Sequence, residues 1–227
     1  MYLGQFDEAI HSLTVANDEN PQTGRDPLTH RAMAYILRGD DEKGKSELKL
    51  ISDSNRTSYA SYILAHLYVS QGELEAYRKL CDRMDRKHFD WGVRISVLGP
   101  NAVADFAPLI ESARKQQNEH PGQDDTFYFL NYGLVLYRAG RFEEALQQFV
   151  KSSEGANNHK STSLGWYARA MTFKQLNREN EAIECLEKAD AAADTVFAQL
   201  NQADWQARVL IKIFQKEARE LIRGSNS

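Results

Sequence analysis

Cysteine is almost absent from this chain of 227 residues: only Cys81 and Cys185 occur, far apart and with no CxxC spacing. That excludes a disulfide framework and a zinc-ribbon arrangement, and makes a reducing, cytoplasmic setting the default. In that setting the glycosylation triplet Asn55-Arg56-Thr57 is accidental. Five prolines and thirteen glycines are few, and they gather between apolar-periodic segments rather than inside them. No alternating β-branched run is long enough for a strand, so the expected class is all-α. No stretch of about 18 apolar residues exists to span a membrane. The opening MYLGQFDEAI lacks the basic-then-apolar pattern of a secretory signal. Lys and Arg form no dense cluster, and the net charge of −4 offers no footprint for nucleic acid.

What is present is a phrase said three times. Gly4–Leu13 reads GQFDEAIHSL, Gly140–Phe149 reads GRFEEALQQF, and Asn177–Leu186 reads NRENEAIECL. Gly39 and Gly72 open related stretches, so the expected turns fall at 4, 39, 72, 140 and 177. Their spacings are 35, 33, 68 and 37, which leaves room for one degenerate copy between 72 and 140. Seven residues before four of these turns stands a small residue, Ala32, Ala65, Gly133 or Ala170. Three residues after each comes a bulky one: Tyr35, Tyr68, Leu136 or Phe173. Beyond the turns, Ala9, Ala145 and Ala182 are followed four residues on by Leu13, Phe149 and Leu186, and Ala16 and Ala189 continue the stripe. Offsets of three, four and seven place these residues on one helical face, and alternating small with large lets two helices cross closely.

A unit of helix, turn and helix repeating about every 34 residues resembles the tetratricopeptide repeat (TPR). Trp166, Ala170, Phe173, Ala182, Leu186 and Ala189 keep that family's pattern in full, whereas Gly44 and Tyr77 stand where it prefers alanine. The resemblance implies a right-handed α-solenoid of helix-turn-helix units closed by a C-terminal capping helix. Residues 1–85 would hold the N-terminal repeats, 86–123 a degenerate one, and 124–222 two well-formed units with the cap, ahead of a disordered tail at 223–227. Helix starts fit this frame: Asp26 precedes Pro27, and Asp124, Asp125 or Thr126, the Ser161–Ser163 cluster and Asp204 are candidate N-caps.

In that register the first phrase is a second helix without its partner, which leaves Phe6, Ile10 and Leu13 half covered. Either the chain continues something longer, or a second copy covers the face in a homodimer, or the helix docks on Leu28 and Tyr35. The other end reads as a finished cap: Leu210, Ile213, Phe214 and Leu221 share a face with one polar intruder, Glu217, opposite Lys212, Lys216, Arg219 and Glu220. A narrower resemblance covers roughly residues 60–222, through AYRKLCDRM, GPNAVADFAPLIESARK and WQARVLIKIFQKEARELI. It is similar to the C-terminal region of large planctomycete-type bacterial proteins, where such repeats follow a serine/threonine kinase domain or a WD-repeat region. WGVRISVL departs from the helix that family often has before GPNAVAD.

Catalytic patterns are lacking. No GxGxxG, HRD, GxSxG, HExxH or P-loop motif occurs, and Ala104-Asp105-Phe106-Ala107 lacks the glycine of DFG. His11, His30, His66, His88, His120 and His159 share no chelating i, i+4 spacing, so neither a metal nor another cofactor is expected. Cys81 and Cys185 sit where thiols fill apolar space, and Glu143-Glu144 suit a helix start. The expected activity is therefore not enzymatic.

The TPR resemblance assigns inward-facing positions to the first helices: Thr29, Met33, Ile36, Tyr62, His66, Val69, Leu130, Leu134, Tyr137, Arg138, Tyr167, Met171 and Lys174. Ile36 and Val69 read as core, while Tyr137 and Tyr167 are equally core or ligand contact. The candidate peptide groove is then Tyr62, His66, Leu130, Leu134, Tyr137, Arg138, Tyr167, Met171 and Lys174. It holds no set of Lys, Asn and Arg to clamp a terminal carboxylate. The expected ligand is a peptide or helix with apolar anchors and an acidic group reaching Arg138 or Lys174. The implied function is a non-catalytic protein-interaction scaffold, or alternatively the regulatory tail of a signalling kinase whose catalytic domain lies elsewhere. RNA binding by helical repeats is disfavoured by the net charge.

Overall fold

The computed structural model describes residues 3–19, 27–54, 58–84, 89–119, 125–154, 159–201 and 204–224. Asp26, the 55–57 triplet, His88, His120, Asp124 and residues 225–227 lie outside the described residues. Twelve helices and no strand occur among the described residues. They are α1 (Leu3–Glu19), α2 (Pro27–Arg38), α3 (Asp41–Asp53), α4 (Ser58–Gln71), α5 (Leu74–Arg83) and α6 (Phe89–Ser96). There follow α7 (Ala107–Glu119), α8 (Asp125–Arg138), α9 (Phe142–Glu154), α10 (His159–Gln175), α11 (Glu179–Gln199) and α12 (Trp205–Arg223). They form two compact units, Met1–Tyr68 and Val69–Ser227.

The turns obey one rule. Gly39, Gly72, Gly140 and Asn177 all have positive φ, at 99°, 79°, 75° and 58°. Asn tolerates this left-handed conformation best among residues with a side chain, which is why it can replace glycine in the third phrase. In three of the turns the next residue's N–H reaches back five residues: Asp40 to the Tyr35 carbonyl, Arg141 to Leu136 and Arg178 to Phe173, each at 2.9 Å. This Schellman closure satisfies the carbonyl of the bulky residue that follows each small one. Gly4 behaves differently and lies inside α1 rather than in a turn.

Small and large residues are matched at the crossings. Ala32, Ala65, Ala170, Ala145 and Ala182 are fully buried. A Cβ on Gly133 would stand 2.5 Å from the Phe149 ring. Where the first helix carries alanine instead, at 32 and 170, the register position of Phe149 holds Leu48 and Leu186. Gly44, expected as a weakness, is required: a Cβ there would lie 2.6 Å from Ile36 Cγ1 and 2.7 Å from the Ala32 carbonyl. Ala16, expected in the buried stripe, is exposed.

The first unit packs α1 on α2 and α2 on α3. Ile10 is covered by Ala34 and Tyr35, so the face expected to be bare is partly filled by α2, as the docking alternative had it. Phe6 and Leu13 are half-buried. The second unit builds one continuous core from α6 to α12, centred on Leu136, Phe149, Tyr167, Leu186 and Phe214. The degenerate copy is a short α6, a loop over 97–106 with Asn101 at φ 53°, and α7. Asp105, in the motif resembling DFG, accepts the Ala107 N–H at 2.8 Å and so starts α7. Ser161–Ser163 fall inside α10 rather than at its start, and Asp204 makes no cap bond to α12, its carboxylate accepting the Asn201 N–H instead.

Candidate functional site

Tyr77 replaces a small residue, and that exchange organises the second unit. Its ring is fully buried, and its hydroxyl donates to the Ile95 carbonyl at 2.8 Å while accepting the Gly99 N–H at 3.1 Å. Two backbone groups, the Ile95 carbonyl near the end of α6 and the Gly99 N–H of the loop, are thereby tied together by one side chain, the carbonyl also accepting the Leu98 N–H at 3.2 Å. Arg138 Nε donates to a third, the Val97 carbonyl, at 3.1 Å. The remaining Arg138 nitrogens form a bidentate pair with Glu217 of α12, one contact at 2.7 Å. The Arg138 side chain is only 4% exposed, so Glu217 supplies the charge that lets it stay buried. The polar intruder of α12 is the counter-ion of Arg138.

A second polar cluster ties α10, α11 and α12. Asp190 accepts from Tyr167 (2.8 Å) and Gln215 (3.1 Å) and pairs with Arg219 (3.0 Å). Burial works to raise the Asp190 carboxyl, and the bonds from Tyr167, Gln215 and Arg219 outweigh it and hold it below the usual range. Arg219, expected on the solvent face of the cap, is 41% exposed and reaches Asp190 from there. Ile211, Phe214, Ala218 and Ile222 of α12 are buried as well. At about 1.5–3 kcal/mol for each large apolar side chain, undocking α12 would carry a substantial cost.

The residues read as a peptide groove are placed as follows. Leu130, Leu134, Tyr137, Tyr167 and Met171 are buried in the core of the second unit. Burial, with Glu217 nearby, pushes the Tyr137 phenol up to about 12. Arg138 is held by Glu217, and Lys174 pairs with Glu179 at 2.7 Å. In the first unit Tyr62 is half-buried and meets His66 edge-on, with ring centroids 4.3 Å apart. His66 is fully buried, and its Nδ1 lies 2.8 Å from the Tyr62 carbonyl. Burial lowers its pKa to about 4, so it is neutral, and Nε2 has no hydrogen-bond partner among the described residues.

The open space lies beside these residues. A cleft of about 310 Å³ in the second unit is walled by Val69, Ser70, Gly72 and Leu74 where α4 ends and α5 begins, and by Leu98 and Pro100 of the loop. Its far wall is a stripe of α12: Val209, Lys212, Ile213, Lys216, Glu217 and Glu220. Only Val69 among its residues belongs to the inward positions expected from sequence. The signal for the rest was present in α12, where 209, 213, 216 and 220 continue a helical stripe beside the buried one. A smaller cavity of about 210 Å³ is lined by Cys81, Met84, Gly92, Ser96, Val103 and Leu109 among others. Burial pushes the Cys81 thiol up to about 12, which leaves it without thiolate character. Cys185 is buried too, and burial raises its pKa.

Among the described residues no three His, Cys, Asp or Glu gather as metal ligands, and no helix is long and apolar enough to cross a membrane. No curated protein matches the chain. A tetratricopeptide repeat protein of Parabacteroides merdae, solved by crystallography, is similar in fold, with a TM-score of 0.54 and 16% identity over 93% of this chain and 78% of that one. The tetratricopeptide repeat family model matches residues 165–194, the copy that carries Trp166, Ala170, Phe173, Ala182, Leu186 and Ala189. In that one matched repeat and in its helical fold, this chain is similar to tetratricopeptide repeat proteins.

Proposed function

We propose that this chain is a non-catalytic protein-interaction scaffold and that its working surface is the cleft along α12. The observation that carries this reading is the cleft itself: an apolar-walled opening held between rigid elements. Its walls are preorganised, because Tyr77 pins the loop and Arg138 joins that loop to α12. Leu130, Leu134, Tyr137, Arg138, Tyr167 and Met171 then serve as the frame of the second unit's binding surface rather than its contacts. The inert state of Cys81 and the neutral, enclosed His66 fit a scaffold better than acid–base or nucleophilic chemistry. The alternative, a regulatory tail of a larger signalling kinase, rests on resemblance, and no feature of the cleft favours it. Self-association through Phe6, Ile10 and Leu13 is not part of the proposal, since Ile10 is already covered.

A photo-crosslinking amino acid placed at Lys212, at the cleft, and at Glu187, on the exposed side of α11, tests the assignment in a lysate of the source organism. Polypeptide adducts are expected at 212, absent at 187, and lost when Ser70→Trp fills the cleft mouth. Equal labelling at the two positions refutes the placement.

A further inference from the structure

We infer that the cavity between α5, α6 and α7 is a second binding site, for a small primary amine carried on an aromatic ring. The cavity, of about 210 Å³, lies where the repeat pattern is broken. There α6 has only eight residues, and Gly92 lines the space. A Cβ on Gly92 would find Leu109 Cδ2, at 3.8 Å, as its nearest neighbour outside α6. The side chain that would close the gap between these helices is therefore missing. An apolar cavity of ~150 Å³ accepts a benzene ring, so this one has room for a ring with a short arm. Met84, Val103 and Leu109 supply apolar walls, and the bare Gly92 backbone lets a flat ring come close. None of these residues belongs to the α12 cleft, so the inference goes beyond the scaffold reading.

The charge of the lining selects the arm. Cys81, Gly92 and Ser96 are buried and make the floor, whose polar side chains are a neutral thiol and a hydroxyl. Asp82 and Asp105 are exposed and stand at the mouth. Among the described residues no Lys, Arg or His lines the cavity. The start of α7 is already closed to an anion. Its Ala107 N–H goes to Asp105, Pro108 has no N–H, and the Ile110 N–H goes to the Phe106 carbonyl at 2.9 Å. The other two helices arrive by their negative ends. Helix α5 stops at Arg83 with Met84 as its C-cap, α6 stops at Ser96, and both termini contribute lining residues. Two helix C-termini and two carboxylates favour an ammonium group over a carboxylate.

The test titrates the full chain, methyl-labelled at Met, Val and Leu, with phenethylamine, phenylpropionate and phenylethanol, followed by NMR. Phenethylamine at millimolar concentration is expected to shift the methyl signals of Met84, Val103 and Leu109. It should bind about tenfold more tightly than phenylpropionate. Asp82→Asn with Asp105→Asn, two exposed changes that keep a capping side chain at 105, should reduce the amine to the affinity of the alcohol. Gly92→Leu should fill the cavity and abolish binding of all three probes, and the Asn pair tests the charge without touching the core. Ser70→Trp, which alters the α12 cleft, should leave amine binding unchanged. Equal affinity for amine and carboxylate, an amine preference that survives the Asn pair, or no shift at the three methyl groups overturns the inference. Loss of amine binding in Ser70→Trp would place the amine in the α12 cleft and overturn it as well.

Discussion

Tyr77 and His66 carry the clearest consequences at the level of single residues. Tyr77 stands where a small residue is expected, and its hydroxyl ties the Ile95 carbonyl near the end of α6 to the Gly99 N–H of the loop. His66 is the reverse case, an enclosed polar ring with only Nδ1 bonded among the described residues. Its pKa is about 4 in the folded chain and near 6.5 when unfolded, so below pH 6.5 the unfolded state binds the extra proton. Stability should therefore be complete above pH 6.5 and fall as pH drops through the window to 4, by about 3 kcal/mol in total from this group. Urea unfolding at pH 7, 5.5 and 4.5 checks it, with His66→Leu expected to flatten this part of the dependence. A slope that His66→Leu leaves unchanged would assign the acid sensitivity elsewhere.

Among elements, the decisive feature is how paired helices share volume. The α8–α9 crossing sets Gly133 against Phe149, whereas the corresponding positions of α10–α11 carry Ala170 and Leu186. Gly133→Ala should collide with a ring that is fully buried and cannot swing aside, at a cost of about 1–3 kcal/mol. Phe149→Leu in the same chain recreates the alanine–leucine pair and should recover much of that loss. A double-mutant cycle by chemical denaturation measures the coupling, and additive losses would show that the two positions do not share volume. This pairing was legible in the sequence because it lies within one repeat, where spacing alone sets which residues meet. The necessity of Gly44 was not, since the family preference for alanine hides the closer approach of α3 to the Ala32 carbonyl.

At the largest scale, the contact that organises the second unit joins residues 79 apart, Arg138 and Glu217. Glu217→Ala leaves an enclosed guanidinium without its counter-charge and should destabilise the second unit by about 3 kcal/mol. Arg138→Met with Glu217→Leu should stay close to wild type, because no charge is then stranded. Thermal unfolding separates the two cases, and equal melting of Glu217→Ala and wild type would mean that the pair is solvated and not structural.

The turn positions, the helical class and the small–large alternation were determined by sequence alone, because each is encoded by neighbours within about one repeat. Tertiary structure decided which inward-facing side chains remain reachable. Leu134, Tyr137, Tyr167 and Met171 occupy positions that the repeat resemblance assigns to a groove, and they are buried in the core of the second unit. The exposed space moved instead to the outer stripe of α12 and the α4–α5 turn. Periodicity reports which way a residue faces on its own helix, and only long-range packing determines what stands in front of it.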